Sequence, residues 1–204
     1  MKDTRNFGAL RSHESLFETF PDFLPEKSTY PLFLSLMENT PWNTEVVSMF
    51  GRVIETRREV AFFGTEPFSY GYTGTRHQAM PLPPDLEEVL TAVRALTDAN
   101  FNSVLATRYP DGKAGLGWHR DDEVELGPRK DIQIASLSLG ARRHFEIRDT
   151  LTQACQRFTL ESGTLFMMRP GFQDRYQHRV PKDPHITTPR INLSFRTLYP
   201  RPIP

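Results

Sequence analysis

RINLSFRTLY, residues 190–199, sets Arg190, Asn192, Ser194 and Arg196 at alternate positions, with Ile191, Leu193 and Phe195 between them. Successive side chains of a strand point to opposite faces, so the stretch reads as a β-strand with one polar and one apolar face. An edge strand with one wet face would account for the asparagine and the serine. Two arginines on that face ask for more. A guanidinium aimed inward needs an anion to offset its desolvation, and its planar fork suits a carboxylate in a way that lysine cannot copy. A small dicarboxylate ligand meets that need.

Outward from this strand, the sequence after Phe101 keeps the same grammar. FNSVLATRY (101–109), IQIASLSLG (132–140), RHFEIRD (143–149) and RFTLESGTLFMMR (157–169, broken at Ser162-Gly163) all suit short strands. Several short strands separated by turn residues predict a sandwich or barrel rather than a parallel α/β sheet. Earlier in the chain, Pro84 with Asp85, Glu87 and Glu88 opens a helix whose apolar face is Leu86, Val89, Leu90, Val93 and Leu96. A second helix is expected over about 30–38. The 17 prolines cluster in 21–41, 81–84 and 181–204, which read as connectors and ends. Residues 45–80 read as a β-containing cover over the core.

The 204 residues fit one domain, 1–204, and the 25 basic and 25 acidic side chains cancel. Charge alone therefore recruits no polyanion, although local basic patches can. Cys155 is the single cysteine, which excludes a disulfide framework and a cysteine-rich zinc site. The N-terminus lacks the apolar run of a signal peptide, and the apolar stretch at 30–37 is too short to span a bilayer. The expectation is a cytoplasmic protein (nuclear if eukaryotic), neither secreted nor membrane-bound, and a monomer.

The chemistry concentrates in WHRDDE, residues 118–123. On an extended strand His119 and Asp121 face one side and Arg120 the other. Imidazole nitrogen and carboxylate oxygen are the donors of the two-histidine, one-carboxylate site of non-haem Fe(II), which leaves three positions open. A histidine and an aspartate two apart are equally the mark of a surface turn or a capping pair. A metal needs a second histidine. His77, His144, His178 and His185 are available, and His178 in YQHRVPK stands best, on an expected strand just before the last one. By itself it also suits a core-edge histidine against Tyr176.

The order WHRDDE, QHRVP, PRINLSFR resembles the AlkB-type Fe(II)/2-oxoglutarate dioxygenases, the oxidative nucleic-acid demethylases, over about residues 46–199. The resemblance implies a mainly β fold with flanking helices: a double-stranded β-helix, or jelly-roll, core at 101–199. A nucleotide-recognition lid and support helix would occupy 46–100, and 1–45 an N-terminal extension and helix packing on the core. It implies Fe(II) held by His119, Asp121 and His178, with O2 and 2-oxoglutarate as cosubstrates. Arg190 would pair with the distal carboxylate of 2-oxoglutarate, with Asn192, Ser194, Arg196 and Tyr109 in the same pocket. Thr107 departs from the family's usual asparagine, the N-x-Y pattern reading TRY here.

The resemblance also assigns substrate contacts. Asp122 would read the exocyclic amine of an extruded base, although an aspartate there also suits a simple turn cap, while Tyr72, in the lid motif YGYTG (70–74), would stack on the base and Tyr70 touch it. Phe50 would be a wedge in the duplex, with Arg52, Arg57 and Arg58 near phosphates; a phenylalanine there also suits simple core packing. Glu123 would orient the metal ligands. The implied reaction hydroxylates the N-methyl group of 1-methyladenine or 3-methylcytosine in single- or double-stranded alkylated DNA and releases formaldehyde, with 2-oxoglutarate decarboxylated to succinate and CO2. RNA or a protein side chain is the alternative substrate, and a non-catalytic jelly-roll binding module the alternative of another class.

Overall fold

The computed structural model describes residues 15–49, 52–67, 69–72 and 75–199. In chain order the elements are β1 (Phe17–Phe20), α1 (Glu26–Asn39), β2 (Asn43–Met49), β3 (Arg52–Gly64), β4 (Ser69–Tyr72), β5 (Thr75–Gln78), β6 (Met80–Pro81), α2 (Pro84–Thr97), β7 (Ser103–Tyr109), β8 (Leu116–His119), β9 (Ile134–Gly140), β10 (Arg143–Asp149), β11 (Cys155–Leu160), β12 (Leu165–Met168), α3 (Phe172–Arg175), β13 (Tyr176–Val180) and β14 (Arg190–Arg196). The large sheet runs β1-β12-β9-β14-β7-β3-β2, with β6 paired to β3, and the small sheet runs β11-β10-β13-β8. From β7 to β10 successive strands alternate between the sheets, and β12, β13 and β14 alternate again. That interleaving makes the two sheets a jelly roll.

β14 is not an edge strand. It pairs in full with β7 on one side and β9 on the other, Arg190 lying opposite Tyr109 and Gly140, and Asn192 opposite Thr107 and Ser138. Both of its edges are therefore paired. Ile191, Leu193 and Phe195 pack with Leu36 of α1 and with Leu86, Leu90 and Val93 of α2 in one core. Between the sheets a second core joins Val60, Leu105 and Tyr109 to Phe145, Phe166, Phe172 and Val180. The polar face of β14 looks into this inter-sheet space, where burial of its arginines becomes costly unless a ligand joins them.

Three sequence expectations are adjusted. α1 begins at Glu26 rather than about residue 30 and runs through Pro31, because Thr29, Leu32 and Leu36 bury against the sheet and outweigh one missing backbone bond. The large sheet extends beyond 101–199, since β1 pairs with β12 and β3 pairs with β7. The hairpin β4–β5 forms a separate small ribbon. At Gly140 (φ 81) the chain leaves β9 for the small sheet, and a Cβ there would lie 2.6 Å from the Phe33 ring and 2.7 Å from the Pro189 carbonyl oxygen, so only glycine fits the corner. Among the described residues no helix is long and apolar enough to cross a membrane.

Candidate metal centre and cosubstrate pocket

β8 and β13 are neighbours in the small sheet, and His119 lies opposite His178. The chain leaves β8 after His119 and turns Asp121 back beneath both rings. His119 Nε2 stands 3.7 Å from Asp121 Oδ1 and His178 Nε2 stands 3.8 Å from Oδ2. These separations are too long for hydrogen bonds, yet one donor atom from each residue lies within 4.8 Å of the others. His119 Nδ1 lies 2.9 Å from the Gly117 carbonyl oxygen. A proton on that nitrogen donates to the carbonyl and leaves the Nε2 lone pair for the site.

Protonation also favours a ligand set. Burial pushes the His178 imidazole down to about 3, His119 adding to the effect and Asp121 opposing it. His178 is therefore neutral at physiological pH. Burial alone would raise Asp121, but Arg196, His178 and His119 outweigh it and hold the carboxyl below the ordinary range. Arg196 Nη2 sits 3.3 Å from Asp121 Oδ1, and its Nη1 sits 4.0 Å from Glu123 Oε1. The neutral His178 imidazole, the His119 ring with its Nε2 turned to the site and an ionised Asp121 converge as two nitrogen donors and one carboxylate, so the residues present fit the Fe(II) implied for them.

Beside this cluster a cavity is lined by His119, Asp121 and His178 together with Thr107, Tyr109, Asn192, Ser194 and Arg196, and by the apolar walls Leu105, Phe145 and Met168. Eight of the nine expected metal and cosubstrate residues thus meet in one space. The ninth, Arg190, adjoins it. Its Nη2 donates to Ser138 Oγ (2.8 Å) and Asn192 Oδ1 (2.7 Å), and its guanidinium lies 5.3 Å from the Tyr109 ring centre. Asn192 also accepts from Ser136 Oγ (2.9 Å) and donates to Ser194 Oγ (2.9 Å). Arg190 is 1% exposed, its Nε and Nη1 have no hydrogen-bond partner, and no ion pair reaches it among the described residues. Burial pulls it down to about 10, Tyr109 opposing and Arg143 reinforcing that fall. A buried guanidinium with spare donors and no acid is an anion site.

The expected substrate residues fare differently. Asp122 lies at the surface beyond the metal cluster, where its Oδ2 accepts from Arg129 Nη2 at 2.7 Å. Arg58, expected near phosphates, is 3% exposed instead. The β2–β3 register shifts between Thr44 and Val46, and Thr56 Oγ1 folds onto the Arg58 backbone there, which turns Arg58 inward and leaves Arg57 outside, paired with Asp111 at 3.2 Å. Arg52 begins β3, and Tyr70 and Tyr72 lie on β4; their side chains, and Phe50 altogether, fall outside the described residues.

Sequence reasoning missed Ser136, Ser138 and Gln173. The serines alternate within the apolar run of β9, which was the available signal. Gln173 is fully buried on α3, and its Oε1 accepts the Asp121 N–H at 3.2 Å. Nothing local to it announces a partner across that distance in sequence.

Two facing imidazoles and a carboxylate inside a jelly roll, next to an arginine awaiting an anion, define a mononuclear non-haem metal oxygenase class of site. Comparison with known proteins agrees. The family described as the 2OG-Fe(II) oxygenase superfamily matches residues 17–196. Alpha-ketoglutarate-dependent dioxygenase alkB homolog 3 of Bos taurus is 36% identical over 194 residues, covering 89% of this chain and 66% of that protein. DNA oxidative demethylase ALKBH2 of Mus musculus is 36% identical over 162 residues, covering 76% and 67%. The solved structure of OsALKBH1 superposes with a TM-score of 0.61 at 16% identity, covering 91% of this chain and 100% of that one, which supports the fold. The chain belongs to the 2OG-Fe(II) oxygenase superfamily and, within it, to the AlkB type. It spans 66% of the length of the alkB homolog 3 relative.

Proposed function

We propose that the chain is an Fe(II)- and 2-oxoglutarate-dependent dioxygenase that removes N-methyl groups from the bases of alkylated DNA, 1-methyladenine and 3-methylcytosine in particular. The observation that carries this reading is the meeting of His119, Asp121 and His178 in one cavity with the polar face of β14. The DNA oxidative demethylase ALKBH2 of Mus musculus, similar over 76% of this chain, points to the substrate.

In this reading His119, Asp121 and His178 hold Fe(II), and Arg196 keeps Asp121 ionised. Arg190 takes the distal carboxylate of 2-oxoglutarate through its unused donors, while Thr107, Tyr109, Asn192 and Ser194 orient the molecule from the same face. When bound, the metal supplies oxidative decarboxylation of 2-oxoglutarate by O2, giving succinate and CO2 and delivering one oxygen atom to the methyl C–H. The hydroxymethyl product then breaks its N–C bond and releases formaldehyde. The apolar walls Leu105, Phe145 and Met168 exclude water around the reacting groups. Asp122 accepts from the exocyclic amine of the extruded base, with Tyr72 stacking on it and Tyr70 alongside. Phe50 and Arg52 belong to the strand-separating side of this reading, with Arg57 in place of the buried Arg58 as the phosphate contact.

The test is formaldehyde release from matched methylated oligonucleotides under Fe(II), 2-oxoglutarate and ascorbate, with single-stranded DNA, duplex DNA and RNA side by side. Turnover on methylated DNA that disappears in His119→Ala supports the reading. Turnover on RNA alone replaces the substrate, and no turnover on any oligonucleotide removes nucleic-acid demethylation.

A further inference from the structure

Arg143, the first residue of β10, is 2% exposed and makes no ion pair among the described residues. Its guanidinium donates to three main-chain carbonyls: Asp111 from Nη1 at 3.2 Å, and Ala114 and Pro181 from Nη2 at 2.8 Å each. Asp111 and Ala114 lie in the turn that leads from β7 to the strand carrying His119. Pro181 follows the strand carrying His178. The same guanidinium lies 5.5 Å from the centre of the Tyr109 ring, over which Arg190 stands at 5.3 Å. One buried phenol therefore carries two guanidiniums.

We propose that Arg143 is a positioning residue for the anionic cosubstrate: it fixes Tyr109 and adds a second buried positive charge beside Arg190, so that the pocket selects a ligand with a distal carboxylate. This rests on the reading in which Arg190 takes that carboxylate. Tying two loops together needs only hydrogen-bond donors, which a neutral amide supplies. A guanidinium at the same depth carries a desolvation cost that three carbonyls offset in part. Two like charges sharing one ring also repel, and in a water-poor site that repulsion is felt strongly. Both costs diminish when a dianion enters. The ring holds the two cations in register through its negative face, so displacing either one moves Tyr109 and, across the β7–β14 pair, the donors of Arg190.

The experiment is calorimetric titration of the Mn(II)-loaded, oxygen-free protein with 2-oxoglutarate and, separately, with 2-oxopentanoate, which has a methyl group where 2-oxoglutarate has its distal carboxylate. Arg143→Gln keeps a donor and loses the charge, whereas Arg143→Lys keeps the charge and loses the fork. In Arg143→Gln the Kd for 2-oxoglutarate is expected to rise about tenfold and that for 2-oxopentanoate to stay within about twofold. In Arg143→Lys the rise for 2-oxoglutarate is about threefold. Equal weakening of both ligands, or an unchanged 2-oxoglutarate Kd in Arg143→Gln, overturns the proposal. If Arg143→Gln does not fold, the same ratio in Arg143→Lys decides. A wild-type protein that binds neither ligand overturns the site assignment beneath it, an outcome visible before any variant is made.

Discussion

His119 and His178 face each other across the β8–β13 pair with ring centres 4.0 Å apart. Directly opposed residues of a ladder share a face, and a slip of one residue would send one imidazole to the other side of the sheet. The register is held from behind as well. On the outer face Arg179 and Arg148 lie 4.4 and 4.5 Å from the Trp118 ring centre, and Arg179 Nε bonds Glu146 Oε2 at 2.6 Å. Each metal-facing histidine thus has a neighbour anchored on the reverse side.

Trp118→Ala removes that anchor without touching the metal side. The expected loss is about 2 kcal/mol of stability from the two cation–π contacts and the half-buried ring, read as a lower urea midpoint. Mn(II) affinity is expected to fall with it, by about tenfold, through a loosened His119.

Asp121→Ala and His119→Ala both abolish metal binding but separate in stability. Asp121 is the carboxylate nearest Arg196, which is itself 3% exposed, so its removal costs about 3 kcal/mol. His119 is more accessible, and its loss leaves the urea midpoint of the metal-free protein near that of wild type. Equal destabilisation by both would contradict the pairing described for Arg196.

Arg190→Met removes a buried cation that has no acid partner among the described residues. Stability is expected to hold or rise slightly, since a hydrophobic group of similar volume often replaces a buried charge without loss. Affinity for 2-oxoglutarate falls by about a hundredfold, equivalent to about 2.8 kcal/mol. Arg190→Lys keeps the charge, yet its single ammonium replaces neither the fork nor the bonds to Ser138 and Asn192, and it recovers only part of that loss.

Acid stability depends on two buried carboxylates of β10. Burial would raise Glu146, but hydrogen bonds from Arg157 and Arg179 outweigh it and hold it below its ordinary 4.5. Burial would likewise raise Asp149, whereas the Thr152 N–H, Arg175 and the Leu151 N–H hold it below 3.8. A folded-state pKa below the unfolded one contributes stability above the unfolded value, and that contribution is lost as pH falls through the folded one. Unfolding by acid is therefore expected to set in below about pH 4.5, with the acid limb of a urea-midpoint profile shallower in Glu146→Gln.

Much of the site was legible because strands write function in alternation. Arg190, Asn192, Ser194 and Arg196 share a face by period two, as do His119 and Asp121 to the extent that the chain stays extended. What the alternation could not say is that β14 is central, because pairing on both sides is a long-range property. The same holds for Gln173, whose acceptor role joins residues 52 apart, and for Arg143, whose partners are carbonyls and carry no side-chain signature. Arg58 was expected near phosphates from the resemblance alone, which does not reveal the β3 irregularity that accompanies its burial.

The central claim is that this site couples decarboxylation of 2-oxoglutarate to removal of a base methyl group. Its most direct measurement is the joint yield of succinate and formaldehyde from one reaction with a 3-methylcytosine oligonucleotide. The account expects equal amounts of the two, with both absent in His178→Ala. Succinate formed without formaldehyde would contradict it.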